Sequence, residues 1–243
     1  MGETTDVGGF YHQWSKLGFS SVVGSLVRWG NPLPPYKDYP DAPRVQLPPP
    51  KPLNRLSLEE AIERRRSIRD YAQESMSLEE LSLLLHLADG ITAHKYGIGF
   101  RAAPSAGALY PIEIYPVVNR VEGLAPGIYH YNVRDHALEI LREGDFRGKL
   151  VQYCLGQEMP GMANVVLILT AIFQRTRWKY RERTYRYVML EAGHIGENIY
   201  LAATAMGMGA CAIGAFLDEP INHLLDVDGV QEAVVYLLTV GKI

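Results

Sequence analysis

Four short stretches of the chain carry residue types that can do chemistry. The first is Arg64-Arg65-Arg66-Ser67-Ile68-Arg69. Guanidinium groups fork onto phosphate oxygens, and Ser67 adds a hydroxyl donor. A charged helix terminus accounts for the same residues, because cations complement the negative end of a helix dipole. The second is Ala103-Pro104-Ser105-Ala106-Gly107-Ala108-Leu109-Tyr110-Pro111. Small residues between two prolines make a rigid loop whose backbone a flat ligand can approach closely; a plain connection is the alternative. The third is Gly207-Met208-Gly209-Ala210-Cys211-Ala212-Ile213-Gly214. It departs from GxGxxG at Ala212 and lies after a helix and before a strand, the reverse of the dinucleotide fingerprint. Gly214-Ala215-Phe216 can still present backbone to a ring. The fourth is Trp178-Lys179-Tyr180, inside the basic stretch 175–186. A lysine crowded by cations has a depressed pKa, and a neighbouring tyrosine can donate or accept a proton. A solvated basic loop explains the composition equally.

Other chemistries lack their residues. His194 has only Glu191 and Glu197 as nearby carboxylates, and HxxE alone does not make a metal site; a buried, hydrogen-bonded histidine is the expectation. G-x-S-x-G is absent, so a serine hydrolase has no support. Cys154 and Cys211, the 2 cysteines, form no CxxC or Cys/His cluster, which argues against disulfide staples and zinc and fits a reducing compartment. A net charge of −3 gives no general pull toward nucleic acid or membrane. The opening MGETTDVGGFYHQW has no signal-peptide pattern, so a cytoplasmic location is expected. The longest apolar run, 163–173, is too short for a bilayer and suits a buried strand.

The elements that must position these stretches are organised around Tyr185 to Phe216. Apolar residues recur at helical spacing through Val188, Ala192, Ile195, Ile199, Ala202 and Ala203. Gly193 and Gly196 inside this helix cost roughly 1 kcal/mol each against Ala, so a close approach by another backbone is expected to offset them. The helix should end at Gly207-Met208-Gly209, with a short inner strand over 210–213. Ser57-Leu58-Glu59-Glu60 and Ser77-Leu78-Glu79-Glu80 are capping boxes that open two further helices. Strands are expected over 112–118, with Pro116 at an edge or bulge, and over 163–173 and 233–240. A hairpin is expected from 127–132 and 137–141, and a helix over 146–155. Residues 174–183 read as a basic connection, and Asp218 as the N-cap of a short helix with Pro220 in its first turn. Residues 1–55 divide off as an arm. Phe10, Tyr11, Trp14, Phe19, Leu26 and Trp29 make its start apolar, and dense prolines then forbid helix and central strand, so it should wrap over the domain of residues 56–243. Mixed helices, strands and hairpins in 243 residues with 47% hydrophobic content predict an α+β fold.

Taken in order, RRSIRDY, APSAGALYPIEIYPVV, AGHIGENIYLAATAMGMG, CAIGAF and LLTVGK resemble the nitroreductase-like flavoproteins over about residues 56–243. WKY followed by RERTYRY and EAGH looks most like the SagB-type azoline dehydrogenase branch, which oxidises thiazolines and oxazolines in peptides. The resemblance implies a mostly antiparallel sheet flanked by helices, and a homodimer with the long helix and two FMN sites at its interface. It puts Arg65, Arg66, Ser67 and Arg69 on the FMN phosphate and ribityl chain, and Lys242 near the phosphate. Pro104, Ser105, Ala106 and Gly107 would reach the flavin from the partner subunit, with Gly214 and Ala215 against the ring. Lys179 and Tyr180 match the pair to which that branch assigns proton transfer while hydride goes to the flavin. Many relatives carry further basic residues after the last strand, whereas this sequence stops at Ile243, which throws phosphate binding onto the arginines. No stretch resembles a cyclodehydratase or leader-peptide-binding domain. Two alternatives stand beside the azoline reading: an NAD(P)H-dependent nitro- or quinone reductase, and a non-catalytic flavin-binding or interaction module that docks through its arm.

Overall fold

The computed structural model describes residues 6–16, 32–51, 56–95 and 97–243. Phe19, Leu26 and Trp29 of the expected apolar start lie outside these residues. The helices are α1 (Val7–Trp14), α2 (Leu58–Arg64), α3 (Leu78–Asp89), α4 (Arg147–Tyr153), α5 (Met159–Met162), α6 (Gln174–Tyr180), α7 (Thr184–Ala205) and α8 (Asp218–Leu225). The strands are β1 (Arg44–Gln46), β2 (Ile91–Lys95), β3 (Ile98–Arg101), β4 (Ile112–Val118), β5 (Gly127–Asn132), β6 (Ala137–Glu143), β7 (Val165–Ile172), β8 (Met208–Ile213) and β9 (Glu232–Lys242).

Seven strands form one antiparallel sheet in the order β1-β6-β5-β4-β7-β9-β8. The fold is α+β. β7 shows why the sheet is central. Its apolar run VVLILTAI sends Val165, Leu167, Leu169 and Ala171 to one face and Val166 and Ile168 to the other. Period-2 alternation with apolar residues on both sides means that both faces are covered. α3 and α7 cover the first face; α4, α5 and α8 cover the second.

Both predicted capping boxes are present. Ser57 and Ser77 accept from the Glu60 and Glu80 amides, and each glutamate accepts the serine's amide in return. α7 buries Val188, Ala192, Ile195, Ile199, Ala202 and Ala203 and turns at Gly207, φ +70°, where glycine avoids the Cβ penalty.

Several expectations need correction. β8 is the last strand of the sheet, not an inner one; residues 67–68 cover its outer edge through an Ile68 amide to Ala210 carbonyl bond of 2.9 Å. β4 is interior despite Pro116, which is tolerated because the β5 ladder begins only at Val117. Residues 174–180 are helical rather than a connection. Gly196 makes room for the Tyr236 ring, 2.9 Å from an added Cβ, rather than for a backbone, and Gly193 faces open space. Asp218 lies inside α8, with Leu217 at the cap position. His194 is exposed, because it falls off the buried stripe of α7.

Arm residues 32–51 lie against the domain. β1 pairs with β6. Lys37 reaches Glu232 at 2.6 Å and the Tyr115 hydroxyl at 2.7 Å, and Arg44 reaches Glu139 at 2.7 Å. No helix among the described residues is long and apolar enough to cross a membrane.

Candidate active site

Arg175, on the first turn of α6, fixes the helix that carries Lys179 and Tyr180. Its guanidinium is 2% exposed; it donates to the Tyr110 carbonyl at 2.9 Å and to the Glu113 carboxylate. Glu113 also meets His130 Nε2 at 2.8 Å, while His130 Nδ1 meets Glu139 at 2.8 Å. Burial alone would raise the Glu113 carboxyl, but Arg175 and His130 overcome it and hold the group down at about 2. Burial likewise opposes charge on His130, yet the two carboxylates outweigh it and raise its pKa. The two carboxylates favour the imidazolium form of His130, which donates from both nitrogens, and α6 is anchored to the sheet through this buried chain.

The loop 103–111 is held in an unusual backbone shape. Gly107, Ala108 and Tyr110 have φ of +68°, +52° and +47°. Two non-glycine residues in the left-handed region cost energy and persist only where their surroundings over-determine them. The Ser105 Oγ accepts the Tyr110 amide at 2.9 Å, the Arg101 amide donates to the Tyr110 hydroxyl at 3.2 Å, and the Arg101 guanidinium sits 4.7 Å from the Tyr110 ring centre. The result brings Gly107 against the end of α6. A Cβ there would stand 2.7 Å from the Tyr180 hydroxyl and 2.8 Å from Lys179 Nζ. Lys179 is exposed, its Nζ 5.3 Å from the Tyr180 ring centre, and the Tyr180 ring packs on Tyr187 with centroids 4.7 Å apart. Gly107 thus meets Lys179 and Tyr180, and Pro104, Ser105 and Ala106 lead the chain into that contact.

The arginine cluster gathers elsewhere, beside β8. Arg65 lies over the Tyr200 ring at 5.4 Å. The Ser67 and Tyr200 hydroxyls are 3.1 Å apart, and the Tyr200 oxygen accepts the Ala212 amide at 2.7 Å. Arg66 donates to the Glu63 carbonyl at 3.0 Å, and Arg69 to the Ser67 carbonyl at 3.4 Å. Among the described residues no carboxylate pairs with Arg65, Arg66 or Arg69. Lys242 is different: its Nζ meets Glu80 at 2.5 Å, so its charge is already engaged. Gly214 and Ala215 follow β8 and are exposed; Gly214 has no neighbour within contact of an added Cβ, and the Ala215 carbonyl accepts from Gln157 at 3.1 Å.

α7 relates the two groups. Ser105 acts on Glu191 and Ser67 on Tyr200, nine residues further along, which is about 14 Å of helix axis at 1.5 Å per residue. One chain therefore brings the loop to the Lys-Tyr pair but leaves the arginines apart from them. The donor set suits a phosphorylated planar group. Three guanidiniums without carboxylates, next to a serine hydroxyl, match a phosphate, and Gly214 leaves backbone free of side chain where a ring could lie.

Sequence reasoning missed Arg101, Arg175, Glu191 and Tyr200. Glu191 did carry a signal. It falls between Val188 and Ile195 at the spacing of the apolar stripe, where a carboxylate is out of place.

Comparison with known proteins agrees with this architecture. Residues 62–242 match the family model described as the nitroreductase family. A Methanocaldococcus jannaschii protein named as a nitroreductase is 36% identical over 202 residues, covering 83% of this chain and 98% of its own length. The trifolitoxin-processing protein TfxB of Rhizobium leguminosarum bv. trifolii is 31% identical over 177 residues, 69% of this chain and 48% of its own length. A crystal structure of an Anabaena variabilis protein, named as a nitroreductase, superposes with a TM-score of 0.77 at 30% identity, covering 96% of this chain and 45% of that one. The chain thus spans about half the length of the last two.

Proposed function

The chain belongs to the nitroreductase family, and from that premise we propose that it is an FMN-dependent oxidoreductase that dehydrogenates azoline-type rings. Members of this family are oxidoreductases. The observation that carries the finer reading is the packing of the Gly107 backbone against Lys179 and Tyr180. The name of TfxB, a processing protein, supports a modified-peptide or small heterocyclic substrate.

When bound, FMN supplies the acceptor for the hydride. In this proposal Arg65, Arg66, Ser67 and Arg69 bind its phosphate and ribityl chain, Gly214 and Ala215 lie against its ring, and Lys242 adds charge nearby. Pro104, Ser105, Ala106 and Gly107 reach it from the partner subunit of a homodimer, which accounts for the distance between the two groups along α7. Tyr180, as its phenolate, takes the proton lost from the substrate carbon and ends as the phenol, and Lys179 stabilises the phenolate beforehand; an unperturbed phenol of pKa about 10 needs such a cation to act as a base near neutrality. Of the arm of residues 1–55, this proposal has residues 32–51 pack on the flavin domain of residues 56–243. No role in binding nucleic acid or membrane is proposed.

A second reading is an NAD(P)H-dependent nitro- or quinone reductase, favoured by the match to nearly the whole length of the M. jannaschii protein. Stopped-flow mixing separates the two. Rapid bleaching of bound flavin by NADPH supports the reductase; bleaching by a thiazoline peptide, lost in Lys179→Ala and Tyr180→Phe, supports the dehydrogenase.

A further inference from the structure

Glu191 is a carboxyl group in the wrong place for an ordinary surface glutamate. It projects from the middle of α7, is 2% exposed, and neither of its oxygens makes a well-formed hydrogen bond among the described residues. The charged groups that act on it are Asp89 of α3, Arg101 of β3 and Arg175 of α6. Both guanidiniums already own a carboxylate: Arg101 pairs with Asp89 at 2.8 Å, and Arg175 with Glu113. Glu191 is therefore a third carboxyl in a buried shell with two cations, and its charge has no partner. Leaving an unpaired charge in such a place is far costlier than leaving a neutral acid. Burial pushes the carboxyl up to about 8, and the Ser105 hydroxyl beside it offsets this only in part.

The same shell holds the strained loop. Tyr110 is gripped by Ser105, Arg101 and Arg175, and Ser105 is the loop residue that touches Glu191. We propose that Glu191 is a positioning residue that, as an uncharged carboxylic acid, holds the Ser105–Gly107 loop against Lys179 and Tyr180, and that ionising it loosens the loop. The functional consequence rests on the reading of Lys179 and Tyr180 as the reacting pair; the structural one does not. As a neutral acid, Glu191 adds no net charge and leaves Arg101 and Arg175 to their own carboxylates and to Tyr110. As a carboxylate it adds a third negative charge to those of Asp89 and Glu113 and competes for the cations that grip Tyr110. The sign follows. A carboxyl whose folded pKa lies above its ordinary 4.5 weakens the fold as pH rises from about 4.5 to about 8, and adds nothing further above that.

The test compares the full chain with Glu191→Gln, whose carboxamide keeps shape and donor but cannot ionise. Between about pH 5 and pH 8, wild type should lose several degrees of melting temperature relative to the variant. Amide hydrogen exchange over residues 104–110 should match in the two proteins at about pH 6. At about pH 9 it should be roughly tenfold faster in wild type, intrinsic exchange having been subtracted. Should Glu191→Gln fold poorly, the infrared carbonyl stretch of a protonated buried carboxyl in wild type serves instead; it must vanish as pH rises through about 8. Parallel melting curves with equal exchange, or a missing protonated-carboxyl band, overturn the proposal. Neither readout needs flavin, so a protein that behaves as expected here yet refuses FMN defeats the functional reading alone.

Discussion

Gly107 and Tyr180 are in such close contact that a single added carbon on Gly107 would lie 2.7 Å from the tyrosine hydroxyl. The contact joins a strained loop to the last residue of a helix that is itself anchored by a buried ion pair. The Lys-Tyr pair is therefore positioned from two directions, and each can be perturbed separately.

Gly107→Ala should lower activity far more than it lowers stability. The substitution meets both a positive φ, costing about 1–2 kcal/mol, and the two side-chain termini. Lys179 and Tyr180 must move, and turnover should fall about a hundredfold, in line with small misplacements of reacting groups. Flavin affinity, measured by fluorescence quenching, should change little. Equal turnover in the variant would show that the contact is incidental.

Lys179→Ala and Tyr180→Phe should each reduce turnover by roughly 10²–10⁴-fold, the usual range for loss of a positioned proton-transfer group. Circular dichroism and the visible flavin spectrum should remain those of wild type, because Lys179 is exposed and Tyr180 is half-buried at a surface.

Arg65→Ala, Arg66→Ala and Arg69→Ala should each weaken FMN binding by about 10–100-fold, as expected for one lost charged hydrogen bond of about 1.5–3 kcal/mol. Binding should also become less sensitive to salt. Lys242→Ala should do less to affinity, since its ammonium is already paired with Glu80 at 2.5 Å. Isothermal titration at two salt concentrations checks both statements.

The buried chain Arg175–Glu113–His130–Glu139 predicts stability limbs at both ends of the pH scale. Glu113 is depressed from 4.5 to about 2, so its contribution is present above about pH 4.5 and is lost as pH falls toward 2. His130 is raised above 6.5, so its contribution is complete below that pH and is lost as pH rises through the raised value. Glu113→Gln should remove the acid limb and destabilise by about 3–5 kcal/mol, because it strips the partner from a buried guanidinium. Denaturant unfolding across pH reads both effects.

Lys37→Ala should cost about 1–3 kcal/mol by leaving Glu232, whose other oxygen accepts from Tyr115 and Thr170 at 2.7 Å, without its cation. That result would place residues 32–51 among the structural parts of the fold. Unchanged stability with loss of a binding partner would instead favour an interaction module.

Much of this was legible in the sequence because the signals were local. Capping boxes, the apolar stripe of α7 and the buried run of β7 depend on residues a few positions apart. The order of the strands depends on pairings far apart in sequence, so β8 could be read as a strand but not as the edge. Pro116 misled for the same reason: its tolerance depends on where the β5 ladder begins. The stretches holding the loop and the Lys-Tyr pair were both visible as candidates, some seventy residues apart, but their contact is tertiary. Arg101, Arg175 and Glu191 were missed because a buried charge is recognised by its partner, and partners are not adjacent in the chain.

The proposed oxidoreductase activity requires FMN to be held by the unpaired arginines after α2. The most direct test is a visible absorption spectrum of the purified protein, with the released ligand identified by mass. The expected result is a yellow protein holding FMN at close to one per chain, or an apoprotein that takes up added FMN. A colourless protein that also refuses added FMN would contradict the phosphate role of Arg65, Arg66 and Arg69, and the oxidoreductase reading with it.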